Sequence, residues 1–218
     1  MKLRIFCFFA LLVSAIHGQI APDVARKAAA GDIEAQIELG AIYESGRGVS
    51  ADREKAIIWY RKAAEKGSAL AQFALGLQYQ GEQGKPTPLA EEGLKWFRKA
   101  AEQGHVHARF NLFTIYRYGL GVSANYSEAV KWVSMAAFND HPMAQANLGY
   151  SYLDGIIVPK DPVDGLAWLM IVSSKHGLAI TEFADFSQKL GQAAVIAAQA
   201  RASEIKKHIK RVELGNFE

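Results

Sequence analysis

The chain has 218 residues, half of them hydrophobic, with six prolines, one cysteine and a formal net charge of +3. That is enough to bury a sizeable core, and too apolar for a disordered tail. Two of the excess bases and the only thiol lie within the first seven residues, so nucleic-acid binding, a disulfide framework and cysteine chemistry all lack support.

The first residues, MKLRIFCFFALLVSAIHGQIAP, form a leader. Lys2 and Arg4 make a basic start, and Ile5 to Ile16 form an apolar run too short to span a bilayer comfortably. Small residues follow at Ala15 and Gly18, the two candidate cleavage points. Residues 1–18 are therefore expected to be a secretory signal peptide, with an uncleaved anchor or a buried first helix as the alternative. Removal takes away Lys2 and Arg4 but no acid, so +3 falls to +1, and Cys7 goes with them. The expected destination is the periplasm or the secreted space, without stable membrane insertion after cleavage and with stability from packing alone.

Residues 19–31 contain PDVARKAAAG, which is expected to form a short capping helix. In AQIELGAIY, Ala35, Leu39, Ile42 and Tyr43 follow the i, i+4, i+7, i+8 spacing of one buried helix face. GRGV, residues 46–49, ends that helix, since glycine supplies the left-handed conformation a terminus needs. Asp52 then caps a second helix with Ala56, Trp59 and Ala63 on one face, closing at Gly67.

The phrase WYRKAAEKG at 59–67 returns as WFRKAAEQG at 96–104. The four tryptophans, Trp59, Trp96, Trp132 and Trp168, are spaced by 37, 36 and 36 residues. Two more ladders share that register: Ala35, Ala71, Ala108, Ala144 and Tyr43, Tyr79, Tyr116, Tyr152. Leu–Gly pairs recur at Gly40, Gly76 and Gly149, with Phe113 as the departure. Further second helices are expected to open at Thr87–Pro88, at a capping box of Asn125 and Glu128, and at Asp161–Pro162; Gly104 and Gly177 close two of them. Residues 32–177 are thus four helix–turn–helix units of about 36 residues, each needing neighbours to bury its faces. Residues 178–218 are expected to form C-terminal capping helices. Their basic run, Lys206, Lys207, Lys210 and Arg211, suits the negative end of a helix dipole, and no aromatic is interleaved to make it a nucleic-acid patch.

The string AxxxLGxxYxxGxGVxxDxxxAxxWxxKAAxxG, spelled from Ala35 to Gly67, resembles the Sel1-like repeat, a relative of the tetratricopeptide repeat. The resemblance covers residues 22–177. Departures are an extra residue in the second turn (GEQGKPTP), Phe113 for a helix glycine and Ile157 for a turn glycine. It implies an all-α fold, a right-handed α-solenoid whose concave side, lined by the first helices, holds a protein or peptide. It also implies an adaptor, exported in many bacterial members. The family's repeat residues are structural, so no catalytic residue, cofactor or metal carries over.

Variable positions on the first helices are the candidate partner-binding residues: Phe73, Leu77, Phe110, Arg117, Tyr118 and Tyr150, an aromatic and arginine mix of the type that dominates interface energetics. The aromatics serve equally well as inter-repeat core. His105, His107, His141 and Asp140 raise a zinc or copper site, but their separate helix starts do not favour one. Ser203 and Lys206 match the S-x-x-K pattern of penicillin-recognising enzymes, without the companion S-D-N and K-T-G strings. A cysteine-rich secreted branch of the resembled family is β-lactamase-like, but this chain lacks those cysteines. A β-lactamase-like or cell-wall-directed hydrolase is the alternative to a non-enzymatic adaptor.

Overall fold

The computed structural model describes residues 20–80, 90–177 and 183–213. The leader with Cys7, the Thr87–Pro88 cap and the GEQGKPTP turn lie outside them. Eleven helices and no strands form among the described residues. A short α1 (Pro22–Ala29) precedes four pairs: α2 (Ile33–Ser45) with α3 (Arg53–Glu65), α4 (Ala69–Gln80) with α5 (Ala90–Glu102), α6 (Val106–Tyr118) with α7 (Tyr126–Phe138), and α8 (Pro142–Asp154) with α9 (Pro162–His176). Then come α10 (Phe183–Leu190) and α11 (Gln192–Glu213). Each helix packs on its chain neighbours, and α11 lies along α9, giving a right-handed α-solenoid.

The turns follow from local chemistry. Gly46, Gly119 and Gly155 end α2, α6 and α8 in the left-handed region at φ of 71°, 67° and 75°. The chain is then drawn back to the ladder tyrosines, whose carbonyls accept from Asp52 N (2.8 Å), Asn125 N (2.8 Å) and Asp161 N (2.9 Å). Those three side chains cap the following helices, on Lys55 N, Glu128 N, and both Val163 N and Asp164 N. The expected capping box is only half formed. Because Asn125 N is already bound to Tyr116 O, the Glu128 carboxylate accepts instead from the Trp132 indole at 2.9 Å.

The helix glycines mark close crossings. A Cβ on Gly40 would sit 2.7 Å from ring carbons of Tyr60, and one on Gly76 2.7 Å from those of Phe97. Gly149 faces Leu169 and the Gly165 carbonyl in the same way. The third pair reverses the distribution of sizes: Phe113 stands at the glycine position, and the residue equivalent to Tyr60 and Phe97 is the smaller Val133. Both are fully buried in one core. Bulk has moved from the second helix to the first.

Trp96, Trp132 and Trp168 are buried. Trp59 is only half-buried, packed against the small cluster of Ala28, Ala35 and Leu39, with the Lys62 ammonium 4.0 Å above its ring. Among the described residues only α1 precedes the first unit, and no full hairpin covers its tryptophan.

A further ladder joins the pairs. Gln36 Nε2 donates to Ala28 O (3.1 Å), Gln72 Nε2 to Ala64 O (3.1 Å), Arg109 Nε to Ala101 O (3.0 Å) and Gln145 Nε2 to Ala137 O (3.0 Å). Every acceptor is in the last turn of the preceding helix, where the carbonyl also accepts a backbone N–H from the following turn (Gly31, Gly67, Gly104 and Asp140), so the side chain uses its second lone pair. All four side chains are buried.

Candidate partner-binding face

Each first helix turns its ladder alanine and leucine inward. The opposite face carries the residues one before, two after, three after and six after the alanine. In α4 those are Leu70, Phe73, Ala74 and Leu77; in α6 they are His107, Phe110, Asn111 and Thr114; in α8 they are Met143, Ala146, Asn147 and Tyr150. Leu70 is 53% exposed, Leu77 41% and Met143 50%. Tyr118, at the end of α6, is 61% exposed.

The candidate residues divide. Leu77 and Tyr118 are open to solvent, and the Arg117 guanidinium lies over the rings of Tyr118 (5.4 Å) and Phe113 (5.7 Å). Tyr150 is half-buried. Phe73 and Phe110 are half-buried and pack on the core. Phe73 stacks on His105 at 4.5 Å and Phe110 on His141 at 4.6 Å, and His141 meets His107 edge-on at 5.1 Å. Phe73, Phe110 and the three histidines therefore form one seam across α4, α6 and α8. Leu70, His107 and Met143 were absent from the sequence-derived set; their position directly before each ladder alanine puts them on the same helical face and was the available signal.

Two of the three histidines cap helices. His105 Nδ1 accepts from Ala108 N, and His141 Nδ1 from Ala144 N, each at 3.2 Å, so both are helix N-caps like Asp32 at the start of α2. The remaining His141 nitrogen, Nε2, lies 3.2 Å from His107 Nδ1. Burial, reinforced by His107 and then His176, pushes His141 down to about 4; burial also lowers His105. Asp140 holds φ +62° at the position of Gly67 and Gly104, and accepts from His176 Nε2 (3.1 Å) and Lys175 Nζ (2.8 Å). Burial would raise its pKa, but these two partners together hold the carboxyl below its ordinary value. The imidazoles do not converge, and no group of three or more metal-ligating side chains occurs among the described residues.

Ser203 and Lys206 are engaged elsewhere. Ser203 Oγ donates to Gln199 O at 3.0 Å, and Lys206 Nζ donates to Ser174 Oγ at 2.9 Å. A cavity of about 490 Å³ beside them is lined by Met170, Val195, Gln199 and serines, with Lys206 as its one charged group. Among the described residues no carboxylate or imidazole lines it to serve as an acid or base.

A stack of helix pairs with turn glycines, ladder tyrosines and a Gly–aromatic crossing defines a repeat solenoid of the tetratricopeptide type. The Sel1 repeat family matches residues 33–68, 69–105, 106–141 and 142–169, and the chain belongs to that family. Sel1 repeat proteins are generally protein-interaction scaffolds. The chain is similar in structure to a protective antigen of uropathogenic Escherichia coli displaying an SLR fold, at 29% identity and a TM-score of 0.73. That match covers 89% of this chain and 43% of the antigen, so this chain spans less than half of that protein's length. It is also similar to a Sel1 repeat protein from Oxalobacter formigenes, at 35% identity, with 77% of this chain and 68% of that one covered and a TM-score of 0.62. No curated protein matches the chain.

Proposed function

We propose that the chain is a non-enzymatic adaptor, exported to the cell envelope or the secreted space, that holds a protein or peptide partner on the concave face formed by its first helices. The observation that carries this reading is where apolar surface is left open. Of nine exposed large hydrophobics among the described residues, five (Ile33, Leu70, Leu77, Tyr118 and Met143) lie on first helices. The other four are dispersed over α3, α7, α11 and the loop after α8. A folded chain gathers exposed large hydrophobics on one set of helices chiefly where a partner covers them. Export is supported by the leader, and by the likeness to a bacterial protective antigen. No helix among the described residues is long and apolar enough to cross a membrane.

A photo-crosslinking residue at Leu77, expressed in the native cell, should trap a discrete protein adduct in the envelope or medium. The same residue at Lys62, on a second helix, should trap none. Equal adducts at both positions, or none at either, would overturn the concave-face reading.

A further inference from the structure

We infer that the partner is an extended peptide segment read along one row of side chains, Glu34, Leu70, His107 and Met143. It would present in order a basic group, an apolar side chain, an acceptor oxygen and a second apolar side chain. The inference rests on the concave-face reading and adds the partner's chemistry.

The row is set by the repeat. Each member directly precedes a ladder alanine, so each is the second residue of its first helix, and the four recur at equivalent places along the stack. All four are exposed. Their chemistry is not uniform. On α2, Glu34 and Glu38 are exposed one turn apart, and that helix has no lysine or arginine. Its third acid, Glu44, is taken by the Tyr60 hydroxyl at 2.7 Å and by Gln78. Two bases stand beside this helix and both are engaged: Lys27 on α1 is paired with Asp23 at 2.9 Å while also feeling Glu38, and Lys66 Nζ donates to Gly31 O. On α4, α6 and α8 the only carboxylate is Asp154, the last residue of α8. The face therefore carries acids at one end and, along α4 and α6, none beyond it, which complements a segment with a cationic end.

The third place in the row is fixed by a relay of hydrogen bonds. Ala144 N–H donates to His141 Nδ1, so that nitrogen bears no proton. The buried His141 ring then carries its hydrogen on Nε2 and donates it to His107 Nδ1. His107 in turn must hold its own hydrogen on Nε2. This is the tautomer whose remaining nitrogen offers a donor to whatever lies on the exposed side. Flanked by Leu70 and Met143, that donor selects a carboxylate or amide oxygen between two apolar side chains.

The test is selection of a displayed library of random twelve-residue peptides on the immobilised full chain. Enriched peptides should carry a Lys or Arg on one side of an apolar residue and an Asp, Glu, Asn or Gln on the other. The double variant E34K/E38K should bind those peptides about tenfold more weakly and enrich acidic ends instead. In the free protein, ¹⁵N chemical shifts of His107 should report hydrogen on Nε2, and His141→Asn, which keeps a capping side chain, should release that preference. Enrichment without a basic end, identical selection by E34K/E38K, or hydrogen on His107 Nδ1 overturns this inference. If Leu77→Asp still abolishes peptide binding in those cases, the concave-face reading survives. If the wild type enriches no peptide, or Leu77→Asp binds as well as wild type, both fall.

Discussion

The two ends of the stack are closed by different means. At the N-terminal end α1 buries a single residue, Ala28, in a small cluster with Ala35 and Leu39, and leaves Trp59 half open. At the C-terminal end α11 lays Ala198, Ala202, Ile205 and Ile209 onto the large core, against an α9 that buries seven residues. Arg201 adds a two-pronged bond to Asp164, at 2.7 and 3.3 Å. In a solenoid each unit touches only its neighbours, so stability is set locally and is graded along the axis. The tight end anchors the fold, and the loose end adjoins the acidic part of the proposed binding face.

The contrast fails if equivalent cavities cost the same at both ends. Ile171→Ala, in the fully buried centre of α9, should lower unfolding free energy by about 3–5 kcal/mol, and Leu39→Ala, near the loose end, by about 2 kcal/mol or less. Urea denaturation of both variants checks this, and equal losses would remove the gradient.

Acid should act at the middle of the stack. His141 is depressed to about 4 from its ordinary 6.5, so as pH falls through 6.5 the unfolded chain takes up the proton first. Stability from this group is therefore intact above 6.5 and lost progressively towards 4. Between pH 7.5 and 4.5 the wild type should lose on the order of 2 kcal/mol more than His141→Asn, as read from melting curves across pH. A variant that follows the wild-type curve would show that His141 does not titrate this way.

Caps offer a smaller probe. Asp52→Ala, which frees Lys55 N, should cost about 1 kcal/mol. The smallest signal needs no mutation. Amides of α1 should exchange with solvent well below the global unfolding free energy, and those of α9 only near it. Uniform protection from α1 to α9 would contradict the graded picture.

The repeat was legible in the sequence because its packing positions recur four times, and Ala, Gly, Tyr and Trp held at one period of about 36 residues suit stacked hairpins and little else. What escaped reading depends on competition between partners. Gln36, Gln72, Arg109 and Gln145 look like surface polar residues until the carbonyl each one reaches is seen. Histidine is an uncommon N-cap, so the sequence raises His105 and His141 as metal ligands, disfavoured by their separate helix starts, without marking them as caps. The Asn125–Glu128 box is incomplete because Tyr116 O reaches Asn125 N first. On the candidate face, spacing proposes Phe73, Leu77, Phe110 and Tyr150 but cannot say that Phe73 and Phe110 lean on histidines while Leu77 stands clear.

The glutamine and arginine ladder has a mechanical consequence. Each rung fastens the start of one hairpin to the final turn of the helix before it, so it fixes the angle at which successive hairpins meet. The stack behaves as a spring whose hinges are each held by a clasp of one hydrogen bond, three made by amides and one by a guanidinium. Pulled from its ends, such a spring yields clasp by clasp, beginning at the end with least core behind it. Gln36, whose amide oxygen like that of Gln145 is buried without a partner among the described residues, holds that first clasp by its nitrogen.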